Sequence, residues 1–301
     1  MSSITRALGI DAYIVLDENR SFAGAAVDML RADGWDGKII DVNEALALMT
    51  RKTLLVVVDT HKSSFVDFPT LYEKASATVV IDHHRKSVDH IKDALIFFHD
   101  PNASSTCEMV TELMRYITPA PTLSPVEAQA MLAGIMLDTK EFVLSTGVRT
   151  FEAAAFLKGK GADTVAVKRL FSNSIESNRK RSEIISAAHI YRGCAIACTA
   201  PGTENARLLS AQAADELLEV SGVKASFVIF DSGNDSVNIS ARSYGDLNVQ
   251  IIMEYLGGGG HRTMAAAQLT GVNMEEAKSK LCEAIDAKYP RTDGEEPTPI
   301  S

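Results

Sequence analysis

Short aliphatic runs alternate with helix-like patterns along the first half of the chain. Strands are predicted at residues 12–16, 38–40, 53–58, 78–81 and 95–98. Two of the helices between or after them have clear beginnings, because residues 105–108 and 124–127 both have the sequence of a capping box. Strands that alternate with helices indicate βαβ units, so we predict an α/β fold with a mostly parallel, doubly wound sheet.

The second half follows a different pattern and predicts a second, smaller α/β domain with a mixed sheet. Strands are expected at 194–200, 225–230, 237–242 and 265–269, with helices near 210–220, 248–256 and after Asn273. We therefore divide the chain into a first domain at 1–150, a helical linker at 151–192 and a second domain at 193–290. Residues 291–301, rich in Pro, Glu and Gly, are expected to be a disordered tail.

Two neighbouring strands of the first domain end in an acid followed closely by histidine. Asp59 follows the strand at 53–58, and Asp82, His83 and His84 follow the strand at 78–81. The carboxyl ends of parallel strands form one edge of a sheet, where ligands bind. One such acid could merely cap a helix, but two strands with this ending favour a metal site. Carboxylate with imidazole suits Mn, Fe or Zn rather than Ca.

Asp138 supplies a third candidate metal ligand beside Asp59 and His83. It lies at the predicted end of the helix that begins at 124–127, where a carboxylate meets the negative end of the helix dipole. A nearby cation would explain that placement, and an exposed acid is the alternative. Asp82 and His84 flank the ligands and are the candidate catalytic residues: either the acid orients an imidazole, or the histidine faces a phosphate.

His61 follows Asp59 by two positions. It either supports the metal ligands or is simply a structural residue.

The second constellation is the glycine run that contains Gly258, Gly259 and Gly260 and ends at His261. One glycine suffices to end a helix. Successive glycines can turn several backbone N–H groups toward one anion, so we expect a phosphate site here, with a flexible turn as the alternative. Arg242, at the end of a neighbouring strand, could reach the same anion.

Ser104 and Ser105 immediately precede a predicted helix N-terminus. Helix N-termini favour anions, so these hydroxyls are candidate substrate contacts. They could equally serve only to cap the helix.

Charge limits the range of partners. The chain has 301 residues, 46% of them hydrophobic, and a formal net charge of −9. Long nucleic acids need a basic face, so they are disfavoured, whereas a short anion can be held with the help of a metal. The four cysteines form no C-x-x-C pair, and no apolar run is long enough for a membrane span. A cytoplasmic protein is expected as the sequence stands.

Together these residues resemble a known family. The chain is similar to the DHH–DHHA1 phosphoesterases in the strings Asp59-Thr60-His61, Asp82-His83-His84-Arg85, Ala103-Ser104-Ser105, Leu137-Asp138-Thr139 and Gly258-Gly259-Gly260-His261. Within the family, residues 100–108 and 257–261 most resemble the catalytic module of GdpP-type cyclic-di-AMP phosphodiesterases. The resemblance implies two manganese ions and hydrolysis of cyclic di-AMP to linear pApA. It also implies that Asp59, His83 and Asp138 bind metal, while the glycine loop and His261 bind substrate phosphate.

One family motif is missing from this sequence. The family carries His-x-x-x-Asp-x-Asp on a strand that would precede residues 12–16, and no His or Asp occurs here before Asp11. Three expected metal ligands are thus absent, which predicts a truncated form with impaired activity. GdpP-type proteins also carry membrane-spanning and sensory domains before this module. A fragment of such a protein would be membrane-anchored in its full form.

The alternatives come from different functional classes. The chain could be an inactive remnant that binds a nucleotide without cutting it. It could instead be a phosphoesterase for short oligonucleotides or 3′-phosphoadenosine 5′-phosphate. A manganese pyrophosphatase also carries a D-H-H string, but the loop at 257–261 belongs to the other type of C-terminal domain. The partners expected are a cyclic dinucleotide or short oligonucleotide and, as a further possibility, a second copy of the chain in a homodimer.

Overall fold

The computed structural model describes residues 1–16, 24–35, 38–117, 122–233 and 236–290. The chain forms two compact units, Met1–Ser172 and Asn173–Ser301. The predicted tail at 291–301 lies outside the described residues. Among those that are described, no helix combines the length and the apolar character needed to cross a bilayer.

The strands of the first unit are all parallel, as predicted. The described strands form two hydrogen-bonded groups rather than one sheet: a pair, β1 (Ile14–Val15) with β2 (Ile39–Ile40), and a three-stranded sheet of order β3-β4-β5. The three strands are β3 (Leu54–Val58), β4 (Ala77–Asp82) and β5 (Ile96–His99). The central strand β4 is the most buried, because it is covered on both faces as parallel strands require.

Eight helices are described in the first unit. They are α1 (Ser2–Ala7), α2 (Gly24–Leu30), α3 (Val42–Leu48), α4 (Pro69–Lys74), α5 (Thr106–Ile117), α6 (Pro125–Asp138), α7 (Val148–Gly159) and α8 (Thr164–Leu170). Helices α5 to α8 share a core with Met114, Leu132 and Leu157 at its centre. The predicted capping box of α6 is confirmed, since the Ser124 hydroxyl accepts from the Glu127 N–H and the Glu127 carboxylate accepts from the Ser124 N–H.

The second unit contains one six-stranded mixed sheet of order β10-β11-β9-β8-β7-β6. Its strands are β6 (His189–Tyr191), β7 (Cys194–Cys198), β8 (Ala225–Gly233), β9 (Ser236–Ser243), β10 (Gly259–Gly260) and β11 (Met264–Thr270). Among the described strand pairs of this sheet, only β7–β8 is parallel. Helices α9 (Ile175–Ser186), α10 (Ala206–Leu217), α11 (Val249–Tyr255) and α12 (Met274–Lys288) cover it. The side chains of Phe227, Ile229 and Ile239 are fully buried between these layers.

The stretch 151–192, expected to be a linker, is divided between the two units. Helices α7 and α8 bury Ala153, Leu157 and Val167 in the core of the first unit. Helix α9 buries Ile184 against α10 in the second unit. The boundary between the units falls at residues 172 and 173. A change in composition and a basic helical stretch suggested a linker, but each of these helices contributes buried side chains to the core of its own unit.

Candidate functional site

Asp59 and His83 lie directly after β3 and β4, at the same edge of the parallel sheet. The Asp59 N–H donates to the Ile81 carbonyl at 3.0 Å, which continues the strand pairing by one residue. Asp59 then adopts a left-handed conformation with φ +63°. Such a conformation costs energy in a residue other than glycine and is concentrated at functional sites. The Thr106 hydroxyl, at the start of α5, donates to the Asp59 carboxylate at 2.9 Å.

His83 faces both candidate carboxylate ligands. Its Nε2 lies 3.5 Å from Asp59 Oδ1 and 3.7 Å from Asp138 Oδ2. Its Nδ1 lies 3.3 Å from the Ala103 carbonyl, which can only accept a hydrogen bond. Nδ1 is therefore the nitrogen that donates to this carbonyl, and Nε2 is the nitrogen that faces the carboxylates. A backbone carbonyl commonly orients metal-binding histidines in this way. The sequence-predicted ligands Asp59, His83 and Asp138 are thus brought together.

Asp138 is the last residue of α6, as the sequence predicted. Burial and then the neighbouring Asp59 carboxylate raise the pKa of Asp138 to about 6. The helix ends in an unusual turn, because Lys140, Glu141 and Phe142 all have positive φ. The buried Thr139 hydroxyl holds this turn, donating to the Ile135 carbonyl at 2.7 Å and accepting from the Phe142 N–H at 2.9 Å.

The donor set fits a divalent cation. Ligand atoms of Asp59, His83 and His84 all lie within 4.8 Å of one another. Carboxylate oxygens with a neutral imidazole nitrogen match the preference of Mn, Fe and Zn. The two carboxylates lie near one another, and burial followed by the charge of Asp59 raises the pKa of Asp138 even though His83, His84 and Lys140 act in the opposite direction. A cation would remove that repulsion.

Asp82 is fully buried and bridges two histidines. One carboxylate oxygen bonds His61 Nδ1, and the other bonds His84 Nδ1 at 2.7 Å. Burial alone would raise the pKa of Asp82, but the hydrogen bonds from His84 and His61 outweigh it and hold that pKa well below its ordinary value. The hydrogen bond that His84 donates to Asp82 also raises the pKa of His84. This is the carboxylate–imidazole pairing expected from the sequence.

Ser104 and Ser105 are buried, and their hydroxyls bond within the protein. Ser104 donates to Glu108 at 2.6 Å, and Ser105 accepts from the Glu108 N–H at 3.1 Å. Thr150 of α7 also donates to the Glu108 carboxylate, at 2.7 Å. The geometry matches the capping alternative rather than direct substrate contact. The role of Glu108 was missed, because its place in the apparent capping box suggested a bond to the residue 105 backbone.

The glycine loop joins α11 to β11 in the second unit. Gly257 has φ +81°, and the N–H groups of Gly257 and Gly258 end the helix by donating to the carbonyls of Glu254 and Met253. A Cβ at Gly258 would lie 2.2 Å from the Ala266 carbonyl oxygen, and one at Gly260 would lie 2.5 Å from the Ala265 Cα. A Cβ at Gly259 would meet nothing within 4 Å. Three of these glycines are therefore required by the fold itself, and Gly259 is not.

Arg242 and His261 are the other predicted phosphate contacts of the second unit, and both make contacts within the protein. Arg242 Nε donates to Asp215 Oδ1 at 3.1 Å, and its side chain is largely buried. Its charge is thus matched by an acid of α10, which the sequence offered no signal to predict. His261 is exposed and lies in a tight turn, where its N–H donates to the Met264 carbonyl at 2.6 Å.

Comparison with known proteins identifies both units. Residues 4–135 match the DHH family, N-terminal domain, and residues 195–289 match the DHHA1 domain. The chain is 48% identical to the cyclic-di-AMP phosphodiesterase GdpP of Geobacillus thermodenitrificans, over 91% of this chain and 42% of that protein. It is 43% identical to GdpP of Bacillus subtilis, over 96% of this chain and 46% of that protein. The chain thus spans less than half the length of these relatives.

A solved structure shares the fold. The chain superposes on an exopolyphosphatase-related protein from Bacteroides fragilis with a TM-score of 0.77 and 18% identity, over 96% of this chain and 86% of that one. At this identity the likeness concerns architecture only. The two matched domains and the high identity to the relatives agree with the resemblance carried by the sequence motifs. The chain belongs to the DHH–DHHA1 family of phosphoesterases.

Proposed function

We propose that this chain is the catalytic region of a divalent-metal phosphodiesterase that hydrolyses cyclic di-AMP to linear pApA. The observation that carries the proposal is the convergence of His83 on Asp59 and Asp138, at 3.5 and 3.7 Å. Identity of 43% and 48% to two cyclic-di-AMP phosphodiesterases over nearly the whole chain supports the choice of substrate. Carboxylate and imidazole ligands suit Mn, Fe or Zn. Manganese is the metal we propose among these, because the family resemblance of the sequence motifs implies it.

In this proposal Asp59, His83 and Asp138 hold the metal. A divalent ion bound there would offset the phosphate charge and lower the pKa of a bound water. His84 lies beside these ligands with Nδ1 held by Asp82, so its other ring nitrogen, Nε2, carries a lone pair that faces the site. Once Nε2 has taken up a proton, it can donate that proton to a phosphate oxygen or to the departing ribose oxygen. Gly259 gives the substrate phosphate room to approach the backbone of the second unit.

We also propose that the 301-residue chain alone turns over slowly. The described residues bring together three candidate ligands and the nearby His84. Two octahedral metals would need roughly six ligands each, and water and substrate would supply only some of them. The protein ligands gathered here are therefore too few for two metals. Short substrates are favoured because the net charge of −9 opposes a long polyanion. We further propose that the chain forms a homodimer and that, as part of a longer protein, it is anchored to a membrane.

The test is release of linear dinucleotide from cyclic di-AMP, resolved by anion-exchange chromatography. The chain would be assayed with Mn²⁺, with Mg²⁺ and with a chelator, beside the corresponding region of the Bacillus subtilis relative. Asp138→Asn should abolish release. Glu183→Gln is the matched control, because Glu183 is an exposed carboxylate on α9 paired with Arg179. Metal-dependent release that is weaker than that of the relative, and lost in D138N alone, is the expected result.

Two outcomes would replace the proposal. Binding of cyclic di-AMP in equilibrium dialysis, with no release at any metal concentration, would indicate a nucleotide-binding protein without catalysis. Cleavage of pApA or 3′-phosphoadenosine 5′-phosphate, but not of the cyclic substrate, would indicate the other family activity.

A further inference from the structure

His61 is a buried histidine whose two ring nitrogens are both hydrogen-bonded. Its side chain is 2% exposed. Nε2 accepts from the Ser87 backbone N–H at 2.9 Å, so Nε2 carries the lone pair. The proton is therefore on Nδ1, which donates to Asp82 Oδ2. A backbone group that cannot change its role thus fixes the tautomer of His61.

Asp82 passes this constraint on to His84. An ionised carboxylate only accepts hydrogen bonds. Asp82 Oδ1 accepts from His84 Nδ1 at 2.7 Å and from the His84 N–H at 3.3 Å, while Oδ2 is held by His61. The plane of the carboxylate is therefore set from both sides. His84 in turn keeps its proton on Nδ1 and leaves Nε2 for the site beside Asp59 and His83.

A second metal site is the competing explanation for this cluster, since ligand atoms of His61, Asp82 and His99 lie within 4.8 Å of one another. The hydrogen bonds argue against it. His61 has no lone pair left, both oxygens of Asp82 are in use, and His99 Nε2 lies 2.5 Å from the His84 carbonyl. A metal would have to break all of these contacts.

The ring of His61 is also held by packing. Its centroid lies 5.5 Å from the His99 ring and 6.4 Å from the Phe97 ring, both in edge-on arrangements. The main chain is tied down as well, because the Ile91 N–H donates to the His61 carbonyl at 2.8 Å. The donor to Asp82 therefore has one direction available. A histidine that only fills the core would not need Asp82 as its partner, because Asp82 is the carboxylate that orients His84.

We infer that His61 is a positioning residue, which acts through Asp82 to fix the tautomer and ring orientation of His84. The catalytic meaning of this assignment rests on the proposed phosphodiesterase function. The hydrogen-bonded chain itself, from Ser87 through His61 and Asp82 to His84, does not rest on it. The inference can therefore be tested both with and without turnover.

Two amide variants separate the two hydrogen bonds of His61. In His61→Asn the side-chain NH₂ lies near the position of Nδ1 and can still donate to Asp82. In His61→Gln the side-chain oxygen reaches the position of Nε2 and can accept from Ser87, but no donor remains near Asp82. Both variants remove the ring and introduce the same functional group, so each controls for the other.

Turnover is the first measurement. Loss of a residue that orients an active-site group typically costs about 10–100-fold. We expect kcat for cyclic di-AMP to fall by about that factor in H61Q and at least tenfold less in H61N. KM and bound metal should stay close to wild type in both. Equal losses in the two variants, or metal lost from both, would overturn the inference.

The second measurement needs no activity. Side-chain ¹H–¹⁵N NMR of the ¹⁵N-histidine-labelled full chain reports each imidazole tautomer, with His84→Gln used to assign the His84 signals. Wild type and H61N should show His84 as the Nδ1–H tautomer, and H61Q should show a mixture. An unchanged His84 tautomer in H61Q would overturn the inference even in an active enzyme. A chain inactive on every substrate that still shows the expected tautomer shift would reject only the proposed function.

Discussion

The two ends of helix α6 each hold one carboxylate, and the surroundings shift the pKa values of these two carboxylates in opposite directions. At the N-terminus, Glu127 accepts from Ser3, Arg6 and the Ser124 N–H, and these partners keep its pKa below the ordinary value although burial opposes them. At the C-terminus, Asp138 meets the negative end of the dipole, and burial and Asp59 raise its pKa. The first acid stabilises the fold. The second is held against its preference, as expected of a group kept for a ligand.

The largest expected effect comes from the unfavourable end. Asp138→Asn should lower metal-dependent hydrolysis by roughly 10²–10³-fold, because a metal contributes several kcal/mol to stabilising the transition state. In chelator, however, the variant should be more stable than wild type by about 1 kcal/mol, since repulsion with Asp59 is removed. Urea titrations with and without Mn²⁺ measure this. A variant that is less stable in chelator would show that Asp138 serves the fold.

The glycine loop of the second unit shows the same contrast between a residue that the fold requires and one that is proposed to serve a ligand. Gly258→Ala should destabilise that unit by about 3 kcal/mol, because the new Cβ would overlap the backbone of β11. Gly259→Ala has room for its Cβ and should change stability by less than about 1 kcal/mol. If the loop binds phosphate, the new Cβ of Gly259→Ala should keep the phosphate from approaching the backbone N–H, and the weakened hydrogen bond to a charged group should raise KM about tenfold.

Thermal unfolding and steady-state kinetics on the same two samples provide the measurement. Metal content is the control and should not change. A Gly259→Ala protein with unchanged KM would remove the loop from the binding site, while its stability would still test the packing argument.

Removing the favourable carboxylate tests the other end of α6. Glu127→Gln should lower the free energy of unfolding by about 1–2 kcal/mol at pH 7, because a charge-assisted bond to Arg6 is lost. The folded-state pKa of Glu127 is depressed, so its contribution is complete above the unfolded value of about 4.5. It is lost as the pH falls through the folded-state pKa.

Urea titrations between pH 7 and pH 3 should therefore show the stabilities of wild type and Glu127→Gln converging in acid. Glu183→Gln, at an exposed ion pair of α9, should differ from wild type by less than about 0.5 kcal/mol throughout. A constant gap between wild type and E127Q at every pH would contradict the electrostatic explanation.

The smallest effect concerns the strained backbone of Asp59. A left-handed residue other than glycine costs about 1–2 kcal/mol, so Asp59→Gly should be more stable than Asp59→Ala by about 1 kcal/mol. Both variants lose the carboxylate equally, and both should be inactive. Differential scanning calorimetry of the two, without metal, gives the comparison. Equal melting temperatures would mean that the backbone at residue 59 relaxes when the side chain is removed.

The sequence predicted the positions of the candidate site residues better than it predicted the contacts that hold them. Asp59 and His83 were placed correctly because an aliphatic run followed by an acid is a local pattern. The beginning and the end of α6 were predicted from equally local signals. The pairing of Arg242 with Asp215 and the hydrogen bond from Thr150 to Glu108 join residues far apart in the chain. The periodicity of hydrophobic and polar positions along the sequence does not predict such contacts.

The sheet of the first unit shows the same limit. Five parallel strands were predicted correctly, but the described residues form a pair and a triplet rather than one sheet. Which strands are neighbours depends on packing over long separations, and strand patterns alone do not specify it. The predicted linker failed for a related reason, since α8 and α9 are joined in sequence but pack in different cores.

The open space above Gly259 changes what sequence variation in this loop can reveal. Related proteins that always keep glycine at positions 258 and 260 would do so for strand packing, whether or not they bind any phosphate. Position 259 carries no such constraint, and a lineage that lost its ligand would be free to accumulate larger residues there while keeping its fold. If the loop binds substrate phosphate as proposed, larger residues at this one position would mark the members of the family that no longer bind it.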